Sequence, residues 1–104
     1  MSIVAIEISR YVDGEPQPGI VECTLVDAHG VSHVFVEKVA VVSKQSLGSD
    51  SAYPQPGEIA CKVESIWKDD DGRQLVRVNT EFPWHVESTQ GTTCFDVLSS
   101  QVSQ

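Results

Sequence analysis

The sequence predicts an all-β protein: a small antiparallel barrel or compact sandwich of about six strands, containing two similar hairpins. Val and Ile dominate the apolar residues, and β-branched side chains suit strands. Several segments alternate apolar and polar residues at every second position, the period of a strand with one buried face. Gly, Pro and Asp interrupt these segments at short intervals, and no stretch carries a convincing helical period.

In the first segment Val4, Ile6 and Ile8 alternate with Glu7 and Ser9. This strand ends near Asp13 and Gly14, and Pro16 blocks its continuation. In the second, Val21, Cys23 and Leu25 share a face opposite Glu22 and Thr24. The turn "DAHG", Asp27–Gly30, pairs an Asp suited to opening a type I turn with a Gly free to take the left-handed conformation, which suits a short hairpin. The return strand "VSHVFVEKVAVV" is expected to carry a bulge, because Val34 and Val36 fall on one face and Val39 and Val41 on the other.

The stretch "PQPGIVEC", Pro16–Cys23, then reappears as "PQPGEIAC", Pro54–Cys61. The second copy runs through Val63 and Trp67 to "DDDG", Asp69–Gly72, and returns through Val76 and Val78. Setting Gly30 against Gly72 also sets Asp27 against Asp69, Val34 against Val76 and Val36 against Val78. Each unit reads as a stiff Pro-x-Pro lead, a Gly at which the chain changes direction, a strand with an inward Cys, a D-x-x-G turn and a return strand. Duplication of one hairpin is the preferred origin, with the second outgoing strand longer or bulged.

Between the hairpins, residues 43–57 form a long polar loop rich in Ser. After the second hairpin comes an aromatic turn around Pro83, then a strand with Phe95 and Val97 inward and Cys94 and Asp96 outward. One helical turn within "PWHVEST" would not alter the class. The β domain is expected over residues 1–98, with 99–104 a disordered tail.

A length of 104 residues suits one domain with one core. Fifteen acidic residues against seven basic ones leave a formal net charge of −8, which repels phosphate backbones and anionic lipids. Nucleic acid and membranes are therefore not expected partners. "MSIVAIEISR" lacks the features of a secretory leader, and the run Val34–Val42 is far too short for a bilayer and carries Glu37 and Lys38. Three widely spaced cysteines argue against a disulfide framework and point to a reducing compartment, the cytoplasm.

The aromatic turn "EFPWHVE" is the leading candidate site. It gathers Phe82, Trp84 and His85 around a proline, and Tyr53 on the long loop is expected beside them as part of one binding platform. The competing expectation is that Phe82 and Trp84 plug one end of the barrel. No metal is expected, since Cys23, Cys61 and Cys94 lack the paired spacing of zinc ligands. Cys23 and Cys61 read as small core residues, close enough to cross-link if their strands are neighbours. An outward Cys94 with His85 as base and Asp96 as orienting group is the one catalytic arrangement the chain offers, and it lacks any family-specific context. The "DDD" triplet reads as a solvated tip, because it lacks the ligand spacing of a calcium loop.

These patterns point away from an enzyme and away from any cofactor. The leading reading is a small acidic β-module that binds another protein through loop aromatics and an acidic surface. One concrete form is an inhibitor or immunity-type protein covering a basic enzyme. A cysteine-dependent enzyme or thiol protein centred on Cys94 is the rival from another class. Homodimerisation through an uncovered sheet edge is a third expectation.

Overall fold

A computed structural model describes every residue except Pro16 and Pro18, so the first Pro-x-Pro lead lies outside the described residues. Six strands form one curled antiparallel sheet, a half-barrel: β1 (Ser2–Asp13), β2 (Ile20–Val26), β3 (Ser32–Lys38), β4 (Gln55–Lys68), β5 (Gln74–Asn79) and β6 (Cys94–Leu98). They lie in the order β3-β2-β1-β4-β5-β6. A two-residue strand, β7 (Val102–Ser103), pairs with β1 at Ile3 and Val4.

Strand alternation fixes the core. Val4, Ile6 and Ile8 of β1 point inward with Val21, Cys23 and Leu25 of β2, and Val76 and Val78 of β5 meet Phe95 and Val97 of β6. The half-barrel is drawn together where β3 faces β6. The Ala28 N–H donates to Asp96 O at 2.8 Å, the Thr89 N–H donates to Val34 O at 2.8 Å, and Phe95 packs edge-on to His33 at 4.8 Å. Bulges in β1 near Ser9 and Val12, and in β4 between Val63 and Ser65, supply the twist that such curling needs.

The two hairpins are β2–β3 and β4–β5, and their tips share one geometry. The Gly30 N–H donates to Asp27 O and the Gly72 N–H to Asp69 O, and both glycines have φ +80°. The longer second outgoing strand is present too, as β4 has 14 residues and β2 has seven.

Several expectations are corrected. The return strand stops at Lys38, and Val39–Val42 is one helical turn, α1, that inserts Val39 and Val42 into the core; in β3 the buried residue is Phe35, while Val36 is exposed. The second Pro-x-Pro lead belongs to β4, where Gln55, Pro56 and Gly57 pair with Ile8, Glu7 and Ile6. Gly57 is not a point of redirection but a place of close approach: a Cβ there would lie 2.7 Å from Ile8 Cγ1 and 2.9 Å from Val42 O. Residues 99–103, expected in a free tail, form a 3-10 turn and β7, and the Gln101 side chain donates to Val26 O and accepts from the Leu98 N–H. Their polar side chains hid this, because backbone pairing needs no apolar pattern. The polar loop is pinned as well: Leu47 is buried and the Tyr53 hydroxyl donates to Gly48 O at 2.8 Å.

Candidate functional site

The aromatic turn follows directly from the end of β5. Alternation turns Thr80 inward, and a buried hydroxyl there must find partners. Thr80 Oγ1 donates to Val86 O and lies 3.2 Å from Thr93 O, its N–H donates to Thr93 O at 2.8 Å, and its carbonyl accepts the Val86 N–H at 2.9 Å. Asn79 completes the base: its Oδ1 accepts the Glu81 N–H at 2.9 Å, and its Nδ2 donates to Glu64 Oε1 at 2.9 Å. Within this clamp the His85 N–H donates to Glu81 O, and His85 takes the left-handed conformation at φ 52°. Val86 is fully buried, which anchors the far side.

The consequence is a fixed base with its aromatic residues outside. Phe82 is 49% exposed and Trp84 64%, so neither plugs the barrel. His85 is exposed beside them. Phe82 and Pro83 line one side of a shallow cleft whose other side is Met1, Lys62 and Val63. Lys62 Nζ sits 5.7 Å from the Phe82 ring centroid, which draws the lysine over the aromatic face. Glu81 and Glu87 bracket the turn, and Glu87 lies close enough to the half-buried Glu37 to add to the effect of burial in raising that carboxyl's pKa.

Tyr53 is not part of this surface. It precedes Gln55, which pairs with Ile8, whereas Phe82 meets Lys62, and seven strand residues separate those positions by about 23 Å. Tyr53 is half-buried and packs against the core. The platform is therefore Phe82, Trp84 and His85 with Met1 and Lys62. Alternation down β5 would have exposed the inward Thr80 as a residue in need of partners, although nothing in sequence said which.

The thiols separate into two kinds. Cys23 and Cys61 are buried, and β1 lies between their strands: Cys23 stands opposite Ile8 and Cys61 opposite Ser2, about 20 Å apart along β1. They are not placed to cross-link. Burial, with the Glu37 and Glu22 carboxylates nearby, pushes the Cys23 thiol up to about 12, and burial pushes Cys61 up to about 11. Both are unreactive thiols at neutral pH.

Cys94 is exposed, in a depression lined by Asp27, His29, His33, Arg77, Phe95 and Asp96. His85 does not line it. Asp96 is already engaged, accepting from Arg77 Nε at 2.7 Å and Nη2 at 3.1 Å, with His29 Nε2 at 3.8 Å. Those bonds from Arg77 outweigh partial burial and, helped by the Arg77 and His29 charges, hold the Asp96 carboxyl below its ordinary range. The expected grouping of Cys94, His85 and Asp96 is thus replaced by an ion pair beside an exposed thiol. Among the described residues, no group of three His, Cys, Asp or Glu side chains is placed to hold a metal, and no helix is long and apolar enough to cross a membrane.

Comparison of the chain with protein-family models, with curated proteins and with solved structures finds no match in any of the three.

Proposed function

We propose that the protein is a non-enzymatic interaction module that binds another protein through Phe82, Trp84 and His85. The observation that carries this reading is the exposure of two large aromatic side chains on a turn whose base is fixed by buried hydrogen bonds. Solvating such a pair is unfavourable, and a rigid base means that little conformational freedom is lost when a partner covers it. Trp is also the residue type most enriched among those that dominate interface energies. The net charge of −8 favours a basic partner and accelerates encounter with it, so an acidic inhibitor of a basic enzyme is one form this function takes. Three free cysteines suit work in the cytoplasm, and the matched hairpin tips suit an origin by internal repetition.

The test is affinity capture from the protein's own cells, comparing the native chain with Phe82→Ala/Trp84→Ala. A partner retained by the native chain, lost by the variant, and bound more slowly as salt rises is expected. Identical sets of bound proteins for both chains would overturn the reading. Both side chains are exposed, so the variant should fold normally.

A further inference from the structure

The lateral edges of the sheet are not treated alike. The outer side of β3 is met by the Thr89 N–H at Val34 O, and the outer side of β6 by the Ala28 N–H at Asp96 O. A further edge arises in the middle of a strand. Pairing of β1 with β4 runs from Ile8 opposite Gln55 to Ser2 opposite Cys61 and stops there, while β4 continues to Lys68. The bulge between Val63 and Ser65 turns this second half away. From Val63 to Lys68, β4 is hydrogen-bonded to β5 on one side, and among the described residues no strand pairs with its other side. Six residues span about 20 Å, enough for a row of backbone donors and acceptors open to another strand.

Natural edges are blunted by charge, proline or a bulge. Here the bulge and the lysines sit at the ends, and the centre is Ile66, 59% exposed. Its opposite number on β5 is the buried Val76, so Ile66 stands on the core-facing side of the ladder yet at its uncovered lip. A β-branched apolar residue in that position is what a further strand would cover.

We propose that Val63–Lys68 pairs antiparallel with the same segment of a second copy, about a two-fold axis through Ile66. Such an interface is isologous, so each favourable pair occurs twice. In this register Ile66 meets Ile66, Glu64 of each copy lies alongside Lys68 of the other, and Lys62 alongside Asp70. Asn79 occupies only Oε1 of Glu64 and leaves Oε2 for the lysine. Moving the axis to Ser65 would set Lys62 against Lys68, so charge selects the Ile66 register. Charge also selects the surface. Two copies of a chain with net charge −8 repel over most approaches, whereas Lys62–Lys68 contains two lysines and one glutamate. This edge adjoins the Phe82–His85 platform at Lys62 and Val63, which line the cleft beside Phe82, but the proposal does not depend on the function assigned to that platform.

Sedimentation velocity from about 1 µM to about 1 mM chain tests it. A monomer–dimer equilibrium is expected, with the dissociation constant raised at least about tenfold by Lys68→Glu, which sets like charges together, and by Ile66→Lys. The double variant Glu64→Lys/Lys68→Glu, which restores opposite charges, should recover the dimer, and Trp84→Ala, outside the cleft at Lys62 and Val63, should leave it unchanged. These side chains are exposed, and matching thermal unfolding curves at low concentration would confirm that each variant folds. A native chain that stays monomeric throughout the range overturns the proposal. So does a dimer indifferent to both Lys68→Glu and Ile66→Lys, which would have to form through another face.

Discussion

At both hairpin tips an aspartate gathers the turn around one oxygen. Asp27 Oδ1 accepts the amides of His29 and Val31, and Asp69 Oδ1 accepts those of Asp71 and Arg73, all between 2.9 and 3.0 Å. The surroundings differ. Asp27 is packed against the barrel: its Oδ2 meets His33 Nε2 at 2.8 Å, Ala28 is buried, and the Ala28 N–H reaches Asp96 across the seam. Asp69 lies at an open tip where Asp70, Asp71 and Gly72 are exposed, and its Oδ2 accepts from Arg73 Nε at 2.8 Å. Arg73 Nη1 also donates to Ala28 O, so the open tip reaches back to the packed one. One local code thus serves two ends: at the first tip it closes the half-barrel, and at the second it reverses the chain and holds Arg73, which reaches Ala28.

The largest expected effect follows from this contrast. Asp27→Ala removes the oxygen that accepts two amides and leaves the half-buried His33 without its partner, so unfolding should become about 2 kcal/mol easier. Asp69→Ala removes the equivalent acceptor and the partner of Arg73 in water, where solvent replaces both, and should cost clearly less. Denaturant unfolding of the two variants measures both. Equal losses would mean that the seam at Ala28 contributes nothing and that the tips are alike.

A smaller effect should be common to both. Gly30 and Gly72 have the same φ, and a Cβ at either would meet no atom within 4 Å. Gly30→Ala and Gly72→Ala should therefore carry only the backbone cost of a left-handed alanine, about 1 kcal/mol each. A markedly greater loss at Gly30 would show that the packed tip constrains its backbone as well as its aspartate.

What could be read in sequence, and what could not, follows the same division. The D-x-x-G turns were legible because their chemistry is local: an Asp and a Gly three residues apart are sufficient. Ser88–Gly91 is a third turn of this kind, with Ser88 Oγ accepting the amides of Gln90 and Thr92 and Gly91 at φ +80°. A serine in that role leaves a fainter mark in sequence than an aspartate. The inward Cys23 and Cys61 and the outward Cys94 were legible from alternation, but their separation was not, since β1 comes between β2 and β4 through pairing distant in the chain. Val39–Val42 reads as strand because three of its four residues are β-branched; tertiary packing of Val39 and Val42 makes it helical. Phe82 and Trp84 were singled out by type, while their exposure depended on the Thr80 clamp, which links residues from two segments.

The finest distinction between the tips is electrostatic. At Asp27 partial burial acts to raise the pKa, but the bond from His33 and the amides of Val31 and His29 outweigh it and lower it. At Asp69 a slight desolvation is likewise outweighed by the amide and guanidinium of Arg73 and the amide of Asp71. A folded-state pKa below the unfolded one gives stability that is complete above the unfolded value, near about 4, and that is lost as pH falls through the folded value. Neutral isosteres, Asp27→Asn and Asp69→Asn, should each flatten the acid limb of a stability–pH curve measured by denaturant unfolding. Salt then separates them. The Asp69–Arg73 pair is the more exposed, so added salt should abolish most of its share, while the more enclosed Asp27–His33 pair should keep its own. If salt erased both contributions equally, the seam would be as wet as the open tip, and closure of the half-barrel would rest on Phe95, His33 and Phe35 rather than on the aspartate.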